Sequence, residues 1–287
     1  MSIYRDFLRI LPIAIVLLWS CDNGGDFESS GELQEEEQLR VESVQEEDSL
    51  EEQLKARLFD FYGIDNFDEI EGLQWCFVVR RDDKAVAARF WDWNIEEGQV
   101  RRATLEGEEL VLSTIREDFS EEEKSREEWE EVHRQFINDQ YWLTFSRRAL
   151  TDSGVDFEAQ DGEVVTGLAQ EEVDRLSVLY RGEDGYTPGD RYDLFLNDEG
   201  RIVGWRYLRG GESEGGRVMV FEALRELGPL VYTAKHSALD EPFQVLLPGV
   251  KVFTQGQSFG DYPDFLGDSE AGASQREAFR ARCELDQ

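Results

Sequence analysis

Over most of its length the chain places apolar side chains at every second residue, a period that suits extended strands and no helix. Leu73, Trp75, Phe77 and Val79 share one face of a first run, Val86, Ala88 and Phe90 a face of the next, and Tyr192, Leu194 and Leu196 alternate in a later one. Residues 101–105, 110–115, 173–180, 191–197, 202–208, 217–223, 230–236 and 243–253 have the same character. Glu106-Gly107-Glu108 and Asn197-Asp198-Glu199-Gly200 supply turns between neighbours, and Pro248-Gly249 breaks the last run. The pattern is an antiparallel meander. So many antiparallel strands must curl or close to hide their edges.

Helical spacing interrupts this pattern at few places. Ser49 and Glu52 form a capping box ahead of Leu50, Leu54, Leu58 and Phe61, and Gly63 is a stop. Ser120 with Glu123 opens a second helix whose stripe is Trp129, Val132, His133, Phe136 and Ile137. Asn138-Asp139 is expected to end it, because Asn tolerates a left-handed turn and Asp bonds nearby backbone. Ser274, Glu277 and Phe279 suggest one weak helix in the Gly-rich tail, residues 254–287. No linker divides residues 49–253, so the expectation is one α+β domain. Its form is a curled, unclosed antiparallel β-barrel with two main helices covering one concave face.

Ahead of the domain, Arg5 and Arg9 precede an apolar stretch from Ile10 to Trp19, and small Ser20 precedes Cys21. The stretch is shorter than the roughly 20 residues that span a bilayer. Residues 1–20 resemble a bacterial lipoprotein signal peptide, which implies lipid on Cys21 and a protein anchored in the cell envelope, with its domain in the periplasm or outside the cell. A plain secretory peptide or an uncleaved anchor are the alternatives. Residues 21–48 are rich in Gly, Ser, Gln and Glu, with Arg40 as the single base, and form an acidic, disordered tether. Asp22 resembles an inner-membrane retention signal, but that rule depends on lineage.

Acidic residues continue through the chain and give a net charge of −34, which repels nucleic acid and anionic headgroups. The bases are 5 Lys and 25 Arg, a combination that fits adaptation to high salt. A Debye length of about 3 Å at 1 M makes such self-repulsion tolerable. An acidic face for a cationic partner is the competing explanation. Besides Cys21, the cysteines are Cys76 in a strand run and Cys283 in the terminal helix run. They could pair and tie the tail to the sheet, but nothing in their spacing requires it; two unpaired, half-buried thiols are the expectation.

Phe136-Ile137-Asn138-Asp139-Gln140-Tyr141-Trp142-Leu143, then Thr187-Pro188-Gly189-Asp190-Arg191-Tyr192-Asp193-Leu194-Phe195-Leu196, then Trp205 and Tyr207, resembles a family of uncharacterised bacterial lipoproteins. That family is similar in fold to the outer-membrane lipoprotein carrier and receptor proteins, an unclosed antiparallel barrel with helices lidding an apolar cavity. The match covers about residues 50–253; it departs at Thr144-Phe145-Ser146-Arg147-Arg148, where the family has Pro and Lys. The resemblance implies a non-enzymatic carrier of an acyl chain or other apolar ligand. Tyr141, Trp142, Phe136, Trp75 and Trp91 are the candidate lining residues, and a lipid or lipoprotein is the candidate ligand. As plain core aromatics they would instead fill the concavity, leaving a cell-envelope interaction protein without a ligand cavity.

Catalytic signals are poor. Gly211-Glu212-Ser213-Glu214-Gly215 fits Gly-x-Ser-x-Gly, but that motif needs a helix after the serine and a strand run follows here. His133 lies on an apolar stripe, and His236 sits beside Lys235 at a strand end. Neither has a second metal ligand at recognised spacing. The acidic run 181–185 lacks the alternating ligands of a calcium loop. No enzyme, metal or cofactor is expected.

Overall fold

The structure, a computed structural model, describes residues 48–116, 127–170, 172–181, 188–211, 215–255 and 273–285. The expected signal peptide, Cys21, the expected tether, the Ser120–Glu123 box, Thr187, Ser213 and most of the 181–185 run lie outside them. Twelve strands make one antiparallel sheet: β1 Ile70–Arg81, β2 Lys84–Asn94, β3 Gln99–Glu106, β4 Glu109–Arg116, β5 Val155–Val164, β6 Glu172–Tyr180, β7 Arg191–Leu196, β8 Ile202–Leu208, β9 Arg217–Leu227, β10 Leu230–Ala238, β11 Phe243–Leu246 and β12 Lys251–Thr254. The spatial order is β4-β3-β2-β1-β11-β10-β9-β8-β7-β6-β5. β1 pairs with β2 along one side; on the other it meets β11 near Val78–Arg81 and β12 near Ile70–Gln74. The link carrying Pro248 bridges β11 and β12, and Cys76 N donates to the Pro248 carbonyl at 3.0 Å. β4 and β5 are the two ends, and among the described residues no pairing joins them, so the sheet curls without closing.

Among the described residues three α-helices dress this sheet: α1 Leu50–Tyr62, α2 Glu127–Thr151 and α3 Ala273–Arg282. The Ser49–Glu52 box caps α1, and Gly63 ends it at φ 56°. α1 buries Leu54, Leu58 and Tyr62 against Leu176, Val178, Leu194, Leu196 and Ile202. The β7–β8 turn comes so close that a Cβ on Gly200 would sit 2.2 Å from the Arg57 carbonyl oxygen. Gly200 therefore serves both the turn, at φ 87°, and the approach of the helix.

α2 corrects the expected end at Asn138-Asp139, since the helix runs on to Thr151. The Asp139 carboxylate accepts from the sheet instead of capping local backbone, and Asn138 Nδ2 donates to it at 2.9 Å. Beyond Asp139, Leu143, Phe145 and Ala149 continue the inward stripe. At about 1.5 Å per residue, its 25 residues reach roughly 37 Å and cross the concave face.

β5 was not expected from the sequence. Only Val155, Phe157 and Ala159 alternate there before Asp161-Gly162 intervenes, and the pairing with β6 slips between Gln160 and Glu163. α3 lies on the opposite face of the sheet, where Phe279 and Cys283 pack on Cys76, Val78, Phe90 and Ala103. The cysteines are bonded, Cα to Cα 5.4 Å, correcting the expectation of two free thiols: α3 docks Cys283 directly over Cys76. β1 is consequently buried on both faces, which accounts for its unbroken Trp-Cys-Phe-Val-Val run.

One strand residue is conformationally costly. Ala223 in β9 has φ 56°, at an irregular point between the Glu222–Lys235 and Leu224–Thr233 pairs. A left-handed L-residue costs about 1–2 kcal/mol, and glycine in a strand about 0.5–1 kcal/mol. Ala223→Gly is therefore expected to stabilise the fold by about 0.5–1 kcal/mol, read as a higher urea midpoint at unchanged slope. A lower midpoint would mean the Ala223 methyl makes packing contacts worth more than the strain.

Candidate ligand-binding interior

The space between α2 and the concave face is held by one buried ionic clamp. Asp139, fully buried in mid-helix, accepts from Arg89 Nε at 2.6 Å, from Arg89 Nη2 at 2.8 Å and from Trp91 Nε1 at 2.7 Å. Alternation in β2 aims both Arg89 and Trp91 inward, and the Arg89 guanidinium also lies 5.0 Å over the Phe77 ring. Burial pushes the Asp139 carboxyl up from its ordinary range, opposed by its bonds to Arg89, Asn138 and Trp91. One turn toward the N-terminus, Gln135 accepts from Arg102 Nη1 at 2.8 Å, a second polar tie from α2 to the sheet.

Two aromatic groups fill the rest of the space. Phe136 meets Trp93, Trp91 and Trp75 at ring separations of 5.3, 5.5 and 6.3 Å. Further along α2, Trp142 lies 4.8 Å from Trp205, 5.1 Å from His236 and 6.4 Å from Phe77, so it joins the two groups. Phe145 and Phe221 close on Trp205 at 4.7 and 5.3 Å. His236, fully buried, sits edge-on to Phe221 at 4.4 Å. Burial pushes its imidazole down to about 3, so it is neutral at physiological pH; the Val245 backbone opposes this shift without reaching hydrogen-bond geometry.

Side chains leave little empty volume. One cavity of about 10 Å³ lies among Tyr62, Gly63, Phe67, Ser146, Arg147 and Pro229. Another of about 10 Å³ lies among Tyr62, Trp142, Phe145, Ser146, Phe221 and Thr233. Each has room for about one water. Yet Trp75 Nε1, Trp205 Nε1 and both ring nitrogens of His236 are buried with no hydrogen-bond partner. Each orphaned polar group costs about 1–3 kcal/mol, and such groups are rare.

Of the candidate lining residues, the structure brings Phe136, Trp75 and Trp91 together and sets Trp142 between them and the His236 group. Tyr141 points elsewhere: its hydroxyl donates to Asp152 Oδ2 at 2.7 Å, and its ring lies under Arg148 and beside Tyr180. Asp139, Arg89 and His236 were missed as parts of this interior. A charged residue inside an apolar helical stripe is the signal for Asp139, and its chemistry also suits a helix end. His236 alternates with apolar Tyr232 and Ala234 in β10, a pattern that marked it as inward-facing. Elsewhere buried Asp92 and Asp193 are tied to arginine, and buried Asp190 accepts from the Tyr207 hydroxyl and Gly210 N. Asp193 accepts from Arg191 Nε at 2.6 Å, Ser177 Oγ at 2.7 Å and Arg206 Nη2 at 2.8 Å. Burial alone would raise its carboxyl, but these bonds hold it below the ordinary range. Among the described residues no His, Cys, Asp or Glu group could hold a metal ion, and no helix is long and apolar enough to cross a membrane.

No protein-family model and no curated protein matches the chain. Solved structures with a similar course of the chain include a domain described as an outer membrane lipoprotein-sorting protein from Vibrio parahaemolyticus. It is 12% identical, with a TM-score of 0.35, and the alignment covers 74% of this chain and 94% of that one. A LolA superfamily protein from Nitrosomonas europaea is 11% identical, with a TM-score of 0.33, covering 66% of this chain and 91% of that one.

Proposed function

We propose that the protein is a non-catalytic binding protein of the bacterial cell envelope, tethered by lipid on Cys21, that takes the acyl chain of a lipid or lipoprotein between α2 and the concave sheet. The observation that carries this reading is the set of orphaned donors, Trp75 Nε1, Trp205 Nε1 and the His236 ring, inside an otherwise aromatic interior. An acyl chain with an ester or amide carbonyl would satisfy such donors while its methylenes replace ring contacts with Phe136, Trp142 and Trp91. Entry requires α2 to move off the sheet, because the cavities hold only about one water each. Tyr141, turned toward Asp152 and Tyr180, would act beside this site through its ring contact with Phe145 at 5.8 Å.

The packed interior favours a second reading, an envelope interaction protein that binds no small ligand and uses its acidic surface. Native mass spectrometry separates the two, applied to residues 48–287, which form one compact unit, purified from a membrane-containing host before and after organic extraction. The expected result is a bound mass in the range of a fatty acid or phospholipid, lost on extraction and reduced about tenfold by Trp142→Ala. A clean apo mass with no uptake of added lipid selects the second reading.

A further inference from the structure

The two small cavities of the interior are neighbours, because Tyr62 and Ser146 line both. The first has half-buried Gly63, Arg147 and Pro229 in its wall, so it faces solvent between the short 3-10 helix Ile64–Glu69, α2 and the β9–β10 turn. Every residue around the second is buried except half-buried Trp142, whose ring leads on to Trp205 and His236. Together they trace a line from the surface to the aromatic interior. Side chains tie α2 to the sheet at Gln135 and Asp139, and just past its end Asp152 accepts from the Tyr180 hydroxyl at 3.5 Å. Ser146 stands between these ties, where α2 can part from the sheet while both are kept. Two polar groups mark the line. The Arg147 guanidinium lies 4.5 Å over the Phe67 ring, and its ion pair is a long one, 3.9 Å to Asp68, whose side chain is 89% exposed. Such a pair is worth little. Thr233, 3% exposed, lines the second cavity with Oγ1 buried and bonded to nothing; the nearby Tyr62 hydroxyl, which accepts from Ile202 N at 3.3 Å, does not reach hydrogen-bond geometry with it.

We propose that this seam is the entrance for the ligand, and that it takes a single-chain acyl ester with an anionic head, of the monoacyl glycerol phosphate class. The inference rests on the carrier reading above and adds to it the head group and the direction of entry. The phosphate meets the Arg147 guanidinium, whose planar fork matches it. One glycerol unit inward, the ester carbonyl accepts from Thr233 Oγ1, the orphaned group that lines a cavity, and the chain runs on among Trp142, Trp205 and Phe221. A fatty acid with its carboxylate at Arg147 brings no carbonyl to Thr233. A diacyl lipid carries a second chain, for which a single line of cavities leaves no course. The net charge of −34 opposes an anion through a field screened over a Debye length of about 8 Å at physiological salt, whereas the guanidinium acts at contact.

Tryptophan fluorescence titrations of the compact unit, residues 48–287, test this with three probes: 1-lauroylglycerol 3-phosphate, its uncharged parent 1-lauroylglycerol, and dodecyl phosphate, which lacks the ester. Lauroylglycerol phosphate is expected to bind about tenfold more tightly than lauroylglycerol. That margin is expected to vanish in Arg147→Ala, to survive in Arg147→Lys, and to widen about twofold in Asp68→Asn, which removes an exposed competitor without touching the interior. Thr233→Val is expected to weaken both lauroyl esters about fivefold and to leave dodecyl phosphate unchanged. Arg147→Ala loosening all three probes alike, Thr233→Val sparing the esters, lauroylglycerol binding as tightly as its phosphate, or inorganic phosphate competing as well as the lipid would overturn the proposal and leave the carrier reading standing. Failure of all three probes to bind would overturn both.

Discussion

Asp139→Ala is expected to destabilise the domain by about 3–5 kcal/mol, the range for removing one partner of a buried ion pair. The substitution strands Arg89, whose side chain is only 16% exposed, and leaves the buried Trp91 Nε1 without its acceptor. The second loss alone is worth about 1–3 kcal/mol. Asp139→Asn keeps an acceptor for Trp91 but no charge for Arg89, so it should fall between wild type and Ala. The double change Arg89→Met with Asp139→Leu removes both charges and substitutes apolar volume, and it should recover much of the loss. Urea midpoints at constant slope measure all three. A loss below about 1 kcal/mol for Asp139→Ala would mean that α2 is held by its aromatic stripe and that the clamp is incidental.

At that clamp the local sequence and the tertiary structure point in different directions. Asn138-Asp139 has the chemistry of a helix end, and a single chain offers no sign that Arg89, fifty positions earlier, would reach Asp139 across the sheet. Local signals served well wherever the determining contacts were local. The Ser49–Glu52 box, the stop at Gly63, the Asn197–Gly200 turn and the break at Pro248-Gly249 all lie where their residues demand. The period-two runs became strands for the same reason, since alternation reports directly on two faces. β5 escaped because a half-exposed end strand buries too little to need strict alternation, and its Asp161-Gly162 slip reads locally as a turn. Within the interior, the aromatics Phe136, Trp75, Trp91 and Trp142 were legible as inward-facing. Tyr141 was not separable from them, because its direction follows from α2 continuing past Asp139, and that continuation rests on the clamp.

Breaking the Cys76–Cys283 bond, by reductant or by Cys76→Ser with Cys283→Ser, is expected to cost about 2–4 kcal/mol, the usual worth of a native disulfide. The cysteines are 207 positions apart, so reduction returns a very long loop to the unfolded chain, and the chain-entropy model gives about 5 kcal/mol as an upper figure. The folded state loses something more specific. α3 has only 10 residues, too few to be stable as an isolated helix, and its one fully buried apolar anchor is Phe279, joined by half-buried Ala278 and, just past the helix end, by Cys283 and Leu285. Without the bond, its departure would uncover Val78, Phe90 and Ala103 on the outer face of β1, β2 and β3. Two transitions are then expected in the reduced protein, a first in which amides of α3 lose exchange protection and a second for the sheet, where the oxidised protein shows one. Because α3 also touches β4, its release would free the outer face of that strand. An unfolding midpoint indifferent to reductant would show that packing of Phe279, Ala278 and Leu285 holds α3, and would turn the bond into a consequence of the docking rather than its cause.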